Sequence, residues 1–271
     1  MRGSSRAAAT ASREAFTGAL AAGASRSRLA EELFAVVGVL DGNATLRRAV
    51  ADPSREGAQK AALAEQLFAG KVSAETLVVL KGVVGQRWST ERDLTDTLES
   101  YAVETIIASA ETANRADRVE DELFHFERIV AADEPLRGAL GDQTVPADKR
   151  AALVESLLSG KVADETLALA RQAVTAPRGR RFDRTIAGYL DTASARREQQ
   201  TATVTSAVPL TEDDRARLTE GLAAIYGGRV HINTVVDPRV LGGVKVEIGD
   251  EVIDGTIMRK LDGARRAMGA S

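Results

Sequence analysis

The chain has 271 residues and a mass of 28.7 kDa, with 44% apolar but only 4% aromatic residues, a formal charge of −3 and a pI near 5.7. Much of the apolar fraction is alanine, which favours packed helices over an all-β core, and the near-neutral charge sets up no field that would draw the chain to nucleic acid or anionic lipid. The absence of cysteine excludes disulfides, thiolate catalysis and cysteine zinc sites, and no apolar run reaches the roughly 20 residues of a membrane span.

In chain order, "MRGSSRAAATASRE" carries arginine, serine and alanine without an apolar signal core, so residues 1–11 are expected to form a disordered tail. The 29 arginines against 7 lysines fit a GC-rich genome. A soluble, intracellular, mostly helical protein is expected.

An internal repeat organises most of the chain up to residue 198. "SRLAEELFAVVGVLD" (27–41) aligns with "DRVEDELFHFERIVA" (117–131), so Arg28, Glu32, Leu33 and Phe34 recur 90 positions on as Arg118, Glu122, Leu123 and Phe124. The same offset matches "AALAEQLFAGKVSAETL" (61–77) to "AALVESLLSGKVADETL" (151–167). Two residues are then lost, and Leu94, Thr97, Leu98 and Tyr101 meet Phe182, Thr185, Ile186 and Tyr189.

Each repeat reads as helices. Leu29, Leu33, Val36, Val37 and Leu40 fall at helical spacing, as do Leu77, Leu80, Val83 and Val84. Gly70 and Gly160 stand where a left-handed residue closes a helix, and Asp52-Pro53 and Val145-Pro146 mark helix starts. The unit is a small antiparallel bundle present twice, over 12–105 and 106–198. No glycine or proline occurs from Gln86 to Asp133, so the bundles are expected to share one helix of about 89–132, roughly 65 Å long at 1.5 Å per residue. "ETANRAD" (111–117) is its weak point, with Asn114 as the breaker.

Beyond residue 199 the period changes to that of strands. "TATVTSAV" (201–208) and "RVHINTVV" (229–236) alternate, and Thr211 and Asp214 open the amphipathic helix between them. "VKVEI" (244–248) turns through Gly249-Asp250 into "EVI", and a final helix is expected over about 256–268. The fold class is therefore mainly α: two tandem antiparallel helical bundles, then a small α+β domain over 199–271 in the order β-α-β-β-α.

Little here can carry chemistry. "FAGKV" and "LSGKV" contain Gly-Lys, but glutamate at 65 and 155 and valine at 72 and 162 break the phosphate-loop pattern, so these are helix ends. His125 and His231 lie in different domains, and no HExxH motif or carboxylate pair accompanies either. "APRGRRFDR" (176–184) packs four arginines into seven residues. It reads as a solvated helix start, and its alternative is a phosphate patch that would make the chain a nucleic-acid-binding helical adaptor. Trp88 reads as the cap of a bundle end. No catalytic group, metal site or cofactor motif emerges.

The glycine-rich stretch "DPRVLGGVKVEIGDEVIDGTIMRKLDGAR" is more specific. Gly249-Asp250 suits a two-residue hairpin, Gly242-Gly243 permits a bulge or close backbone approach, and Asp254 with Gly255 can start the last helix. The stretch resembles the C-terminal signature of the delta subunit of F-type ATP synthase, the relative of the mitochondrial oligomycin-sensitivity-conferring protein. Gly242, Gly243, Gly249, Asp250, Val252, Ile253, Asp254, Gly255, Arg259 and Leu261 match it, with Thr256 where the family has serine. The repeats resemble the family's N-terminal bundle, which ordinary members carry once.

The resemblance implies a non-catalytic part of the peripheral stalk, the stator that keeps the catalytic head from turning with the rotor. It implies two partners: the N-terminal segment of the ATP synthase alpha subunit, gripped by a helical bundle, and the b subunit, held by the C-terminal domain. Candidate residues for the alpha-segment groove are Phe16, Leu20, Leu77, Leu80 and Val84. It implies no cofactor, no nucleic acid, no membrane span of the chain's own, and a peripheral place on the cytoplasmic face of the bacterial plasma membrane.

Overall fold

The computed structural model describes residues 3–22, 25–199, 201–226, 230–240, 242–248 and 251–255. It divides into two compact units, 1–193 and 194–271. In the first unit, α1 (Gly3–Ala21), α2 (Arg26–Gly42), α3 (Ala44–Ala51), α4 (Gly57–Phe68), α5 (Ala74–Val84) and α6 (Glu91–Thr112) make the first bundle. The second repeats that order in α7 (Ala116–Ala132), α8 (Glu134–Gly141), α9 (Ala147–Leu158), α10 (Asp164–Thr175) and α11 (Phe182–Gln199).

Helix α1 corrects the expected tail. It starts at Gly3, and its small residues pack closely where large ones would not fit. Buried Ser5 donates to Asp93 Oδ2 at 2.7 Å and accepts from the Ser89 amide at 2.9 Å. Ser12 shares a hydrogen bond of 2.9 Å with the Tyr101 hydroxyl, and Phe16 stacks on the Tyr101 ring, centroids 4.2 Å apart. Against α5 the approach is so close that a Cβ on Gly82 would lie 2.6 Å from the Ala15 methyl.

The repeat recurs as hydrogen bonds. Glu32 accepts from the Ser73 amide and hydroxyl and from Thr76 at 2.7–2.8 Å, which ties α2 to the start of α5. Glu122 accepts in the same way from the Ala163 amide and Thr166 at 2.8 and 2.6 Å. Asn43 and Asp133 cap α3 and α8 through the amides of Leu46 and Leu136, each at 2.9 Å. Gly70 and Gly160 close α4 and α9 at φ +74° and +73°. The two prolines differ: Pro146 is the N-cap of α9, but Pro53 lies in a turn ahead of α4, which begins at Gly57.

A continuous helix over 89–132 is not present. Helix α6 ends at Thr112, where Asn114 takes φ +53° and the Arg115 amide donates back to the Ala110 carbonyl at 2.8 Å. That six-to-one closure is the Schellman helix ending, with asparagine tolerated in the left-handed position that glycine usually fills. The bundles do share α6. Its Leu94, Leu98, Tyr101 and Ala102 enter the first core, and its Val103, Ile106, Ile107 and Ala110 enter the second. The shared element is 22 residues long, about 33 Å.

In the second unit, β1 (Thr201–Ser206), β2 (His231–Val236), β3 (Val244–Ile248) and β4 (Glu251–Asp254) form one sheet in the order β2-β1-β3-β4, with α12 (Glu212–Tyr226) between β1 and β2. β1 pairs parallel with β2 and antiparallel with β3, and β3 pairs antiparallel with β4, placing Ile248 opposite Glu251. Thr211 caps α12 by accepting from the Asp214 amide at 3.2 Å. Ala202, Val204, Leu222, Val230, Ile232, Val246 and Ile248 form a separate core. The expected final helix lies outside the described residues.

Candidate interaction surfaces

In the second unit the described signature residues lie at one end and along one edge of the sheet. Gly242 and Gly243 have φ of +81° and +80°, two successive left-handed positions that only glycine adopts at low cost. They line a cleft of about 480 Å³ together with Val208, Leu210, Leu218 and Val244. Gly255 stays hydrogen-bonded to the sheet, its amide donating to the Val244 carbonyl at 3.0 Å, and a Cβ there would come within 3.2 Å of that oxygen. Val252 and Ile253, on edge strand β4, are 50% and 44% exposed. Gly249, Asp250, Arg259 and Leu261 lie outside the described residues.

In the first unit the five candidate groove residues are not equivalent. Phe16, Leu80 and Val84 are buried in the first core, so they hold α1 against α5 rather than line an open surface. Leu20 and Leu77 are half-buried at the margin, and Val78 beside them is exposed. On the corresponding face of the second bundle, between α6 and α10, Leu167 and Ala168 are half-buried and exposed as Leu77 and Val78 are. Ala110, in the frame of Leu20, is buried, and α2 of the first bundle borders the cleft there, about 790 Å³, through Ala30 and Phe34.

The arginine motif is not a solvated helix start. Arg178, at φ +53°, turns inward and bridges Asp41, Asp96 and Glu99 at 2.5–2.8 Å, and Arg180 also pairs with Glu99. Sequence reasoning missed this joint because its acids come from α2 and α6, distant in the chain. Those contacts occupy two of the arginines that a nucleic-acid surface would need. Trp88 is buried at the end of the first bundle, its indole donating to the Val83 carbonyl at 2.8 Å. His125 is exposed, bonded through Nδ1 to the Asp121 carbonyl. Among the described residues no helix is long and apolar enough to cross a membrane, and no group of three or more acidic or histidine side chains could hold a metal.

Comparison with known proteins identifies the constellation. The family model for the ATP synthase delta (OSCP) subunit matches residues 97–268, which begins within α6 and takes in the second repeat and the C-terminal unit. The ATP synthase subunit delta of Kineococcus radiotolerans is 42% identical over 92% of this chain and 90% of its own. That of Streptomyces griseus is 43% identical over 89% of each chain, and that of Beutenbergia cavernae is 42% identical over 99% of each. The chain therefore belongs to the ATP synthase delta (OSCP) subunit family, as a structural, non-catalytic subunit of the peripheral stalk of the membrane-associated ATP synthase.

Proposed function

We propose that the chain couples two specific partners within the stalk: the N-terminal segment of an alpha subunit on the first bundle, and the b subunit on the C-terminal unit. The observation that carries the first assignment is access. The α1–α5 face keeps Leu20, Leu77 and Val78 within reach of solvent. On the equivalent α6–α10 face Ala110 is buried in the frame of Leu20, the exposed position in the frame of Val78 is Ala168, and α2 of the first bundle borders the cleft. The family model aligns with the second repeat, yet the first repeat offers the larger accessible apolar side chains on that face, Leu20 and Val78 where the second has Ala110 and Ala168. A joint of nanomolar affinity represents about 12 kcal/mol, which an amphipathic helix laid on an apolar surface supplies. For the b subunit, the exposed Val252 and Ile253 on β4, at the edge of the four-stranded sheet, offer apolar area.

In this reading the complex is attached at the cytoplasmic face of the bacterial plasma membrane. Capture from solubilised membranes with the full chain as bait tests it. Alpha and b subunits are expected in stoichiometric amounts, and recovery of neither would overturn the assignment. Loss of alpha alone on Val78→Asp would place the alpha segment on the first bundle.

A further inference from the structure

The two bundle ends are built from corresponding residues, but only the first is complete. There Lys60 donates to the Gln86 carbonyl at 2.5 Å, Arg47 pairs with Glu91 at 2.9 Å, and Trp88 fills the end, next to a cleft of about 300 Å³. Ninety positions on, Lys60 becomes Arg150 and Arg47 becomes Arg137, while residues 176–178 in the frame of Trp88 are Ala-Pro-Arg. The cleft here grows to about 570 Å³, walled by Val130, Leu140 and Phe182 and by Arg137, Arg150, Arg180 and Arg181.

Arg150 is only 6% exposed, and its Nε and Nη1 are buried without a hydrogen-bond partner. Asp142 lies close enough to feel its charge but is engaged by the Thr144 amide and hydroxyl at 2.9 and 2.7 Å. Arg180 is matched by Glu99, and Arg181 reaches Asp183 at 3.3 Å. Arg137 donates to the Ala131 carbonyl at 2.8 Å and forms no ion pair among the described residues. That leaves two guanidiniums facing the single remaining carboxylate of the wall, Glu127. A buried guanidinium with unmatched donors is unfavourable until an acceptor arrives.

We propose that this cleft binds a phosphorylated small molecule, its phosphoryl oxygens accepting from Arg150 and Arg137 and its organic body lying on Val130, Leu140 and Phe182. The guanidinium fork matches phosphoryl oxygens in pairs, and the volume lies within the range of small-molecule sites and exceeds the need of a bare anion. The loop over the cleft also carries Arg178, so an occupant braces the joint between the bundles.

Calorimetric titration and thermal melting of the full chain with inorganic phosphate and with a nucleoside diphosphate, each against sodium chloride of equal ionic strength, test the site. Sub-millimolar binding that raises the melting temperature is expected, tighter for the nucleotide. Equal responses would keep the phosphoryl site and assign free phosphate as its source. Arg150→Gln should weaken binding at least tenfold, and so should Arg137→Gln at the half-buried rim, which keeps the test open if the first variant folds poorly. No response to either probe beyond the salt control, or binding unchanged in both variants, would overturn the proposal.

Discussion

The Arg178 guanidinium lies 2.5 Å from the Glu99 carboxylate, and each side chain is only 4% exposed. This buried pair joins the bundles, since Glu99 belongs to the shared helix α6 and Arg178 to the loop between α10 and α11. Truncating Arg178 leaves the buried Glu99 to Arg180 alone and takes from Asp41 and Asp96 the guanidinium they share, which costs more than the pair contributes while intact. Arg178→Met is therefore expected to destabilise the first unit by about 3 kcal/mol. The double variant with Glu99→Gln should recover part of that loss. Urea denaturation of the four members of the cycle measures the coupling, and a single variant as stable as the parent would refute the role.

Acid should act through the repeated glutamate nodes. Burial works to raise the pKa of Glu32, but hydrogen bonds from Thr76, Ser73 and Arg28 outweigh it and hold the carboxyl at about 2, below its ordinary 4.5. Glu122 is lowered as well, where burial is again outweighed by bonds from Thr166, Ala163 and Arg118. A depressed acid contributes its full stability above its unfolded pKa and loses it as pH falls through the folded value. The urea midpoint should thus fall between pH 4.5 and 2. Glu32→Gln should flatten that slope and cost about 1–3 kcal/mol at neutral pH. Parallel pH profiles for variant and parent would rule out Glu32 as a source of the slope.

The nodes also show what the sequence made legible. Arg28 and Glu32 recur in register because each pair performs the same task in its bundle, so the duplication was readable as identity and the helices as period. The first turns of helix α1 were not readable, because Ser5, Ala8 and Ser12 are core residues by being small, and hydrophobic spacing does not register them. The end of α6 was half readable: Asn114 was identifiable as a weak point, but its left-handed closure depends on backbone geometry that composition does not state. Arg178 was misread, since its burial rests on acids 79 and 137 positions away. At the candidate surfaces, Gly242 and Gly243 stand out in the sequence as a break ahead of the strand, but the burial of Phe16, Leu80 and Val84 needed the packed bundle.

Asn114 should respond to substitution by backbone preference. At φ +53° a β-branched side chain crowds the backbone, so Asn114→Val is expected to lose more than about 1 kcal/mol. Asn114→Gly should stay within a few tenths of the parent, as glycine adopts this conformation freely. Arg115 is pinned by Glu165 at 2.8 Å, so limited trypsin digestion should cut there slowly in the parent and faster in the valine variant. Similar melting of both variants would mean the left-handed turn is not needed.

The edge of the C-terminal sheet offers the most direct separation of folding from binding. Val252 and Ile253 are exposed on β4, while the core beneath is made by Ala202, Val204, Val246 and Ile248 on β1 and β3. Replacing both exposed residues by lysine removes apolar area and places charges on an edge, the device natural sheets use to prevent strand pairing. Neither residue belongs to that core, although Ile253 pairs with Val246 on its face. Circular dichroism and melting should therefore stay close to the parent, with Val252→Lys alone as the control on the opposite face. Affinity for a b-subunit fragment should fall at least tenfold, equivalent to about 1.4 kcal/mol, while binding of an alpha N-terminal peptide to the first bundle stays unchanged. A drop in both affinities would point to lost folding, and full b binding by the double-lysine variant would move the b interface elsewhere on the chain.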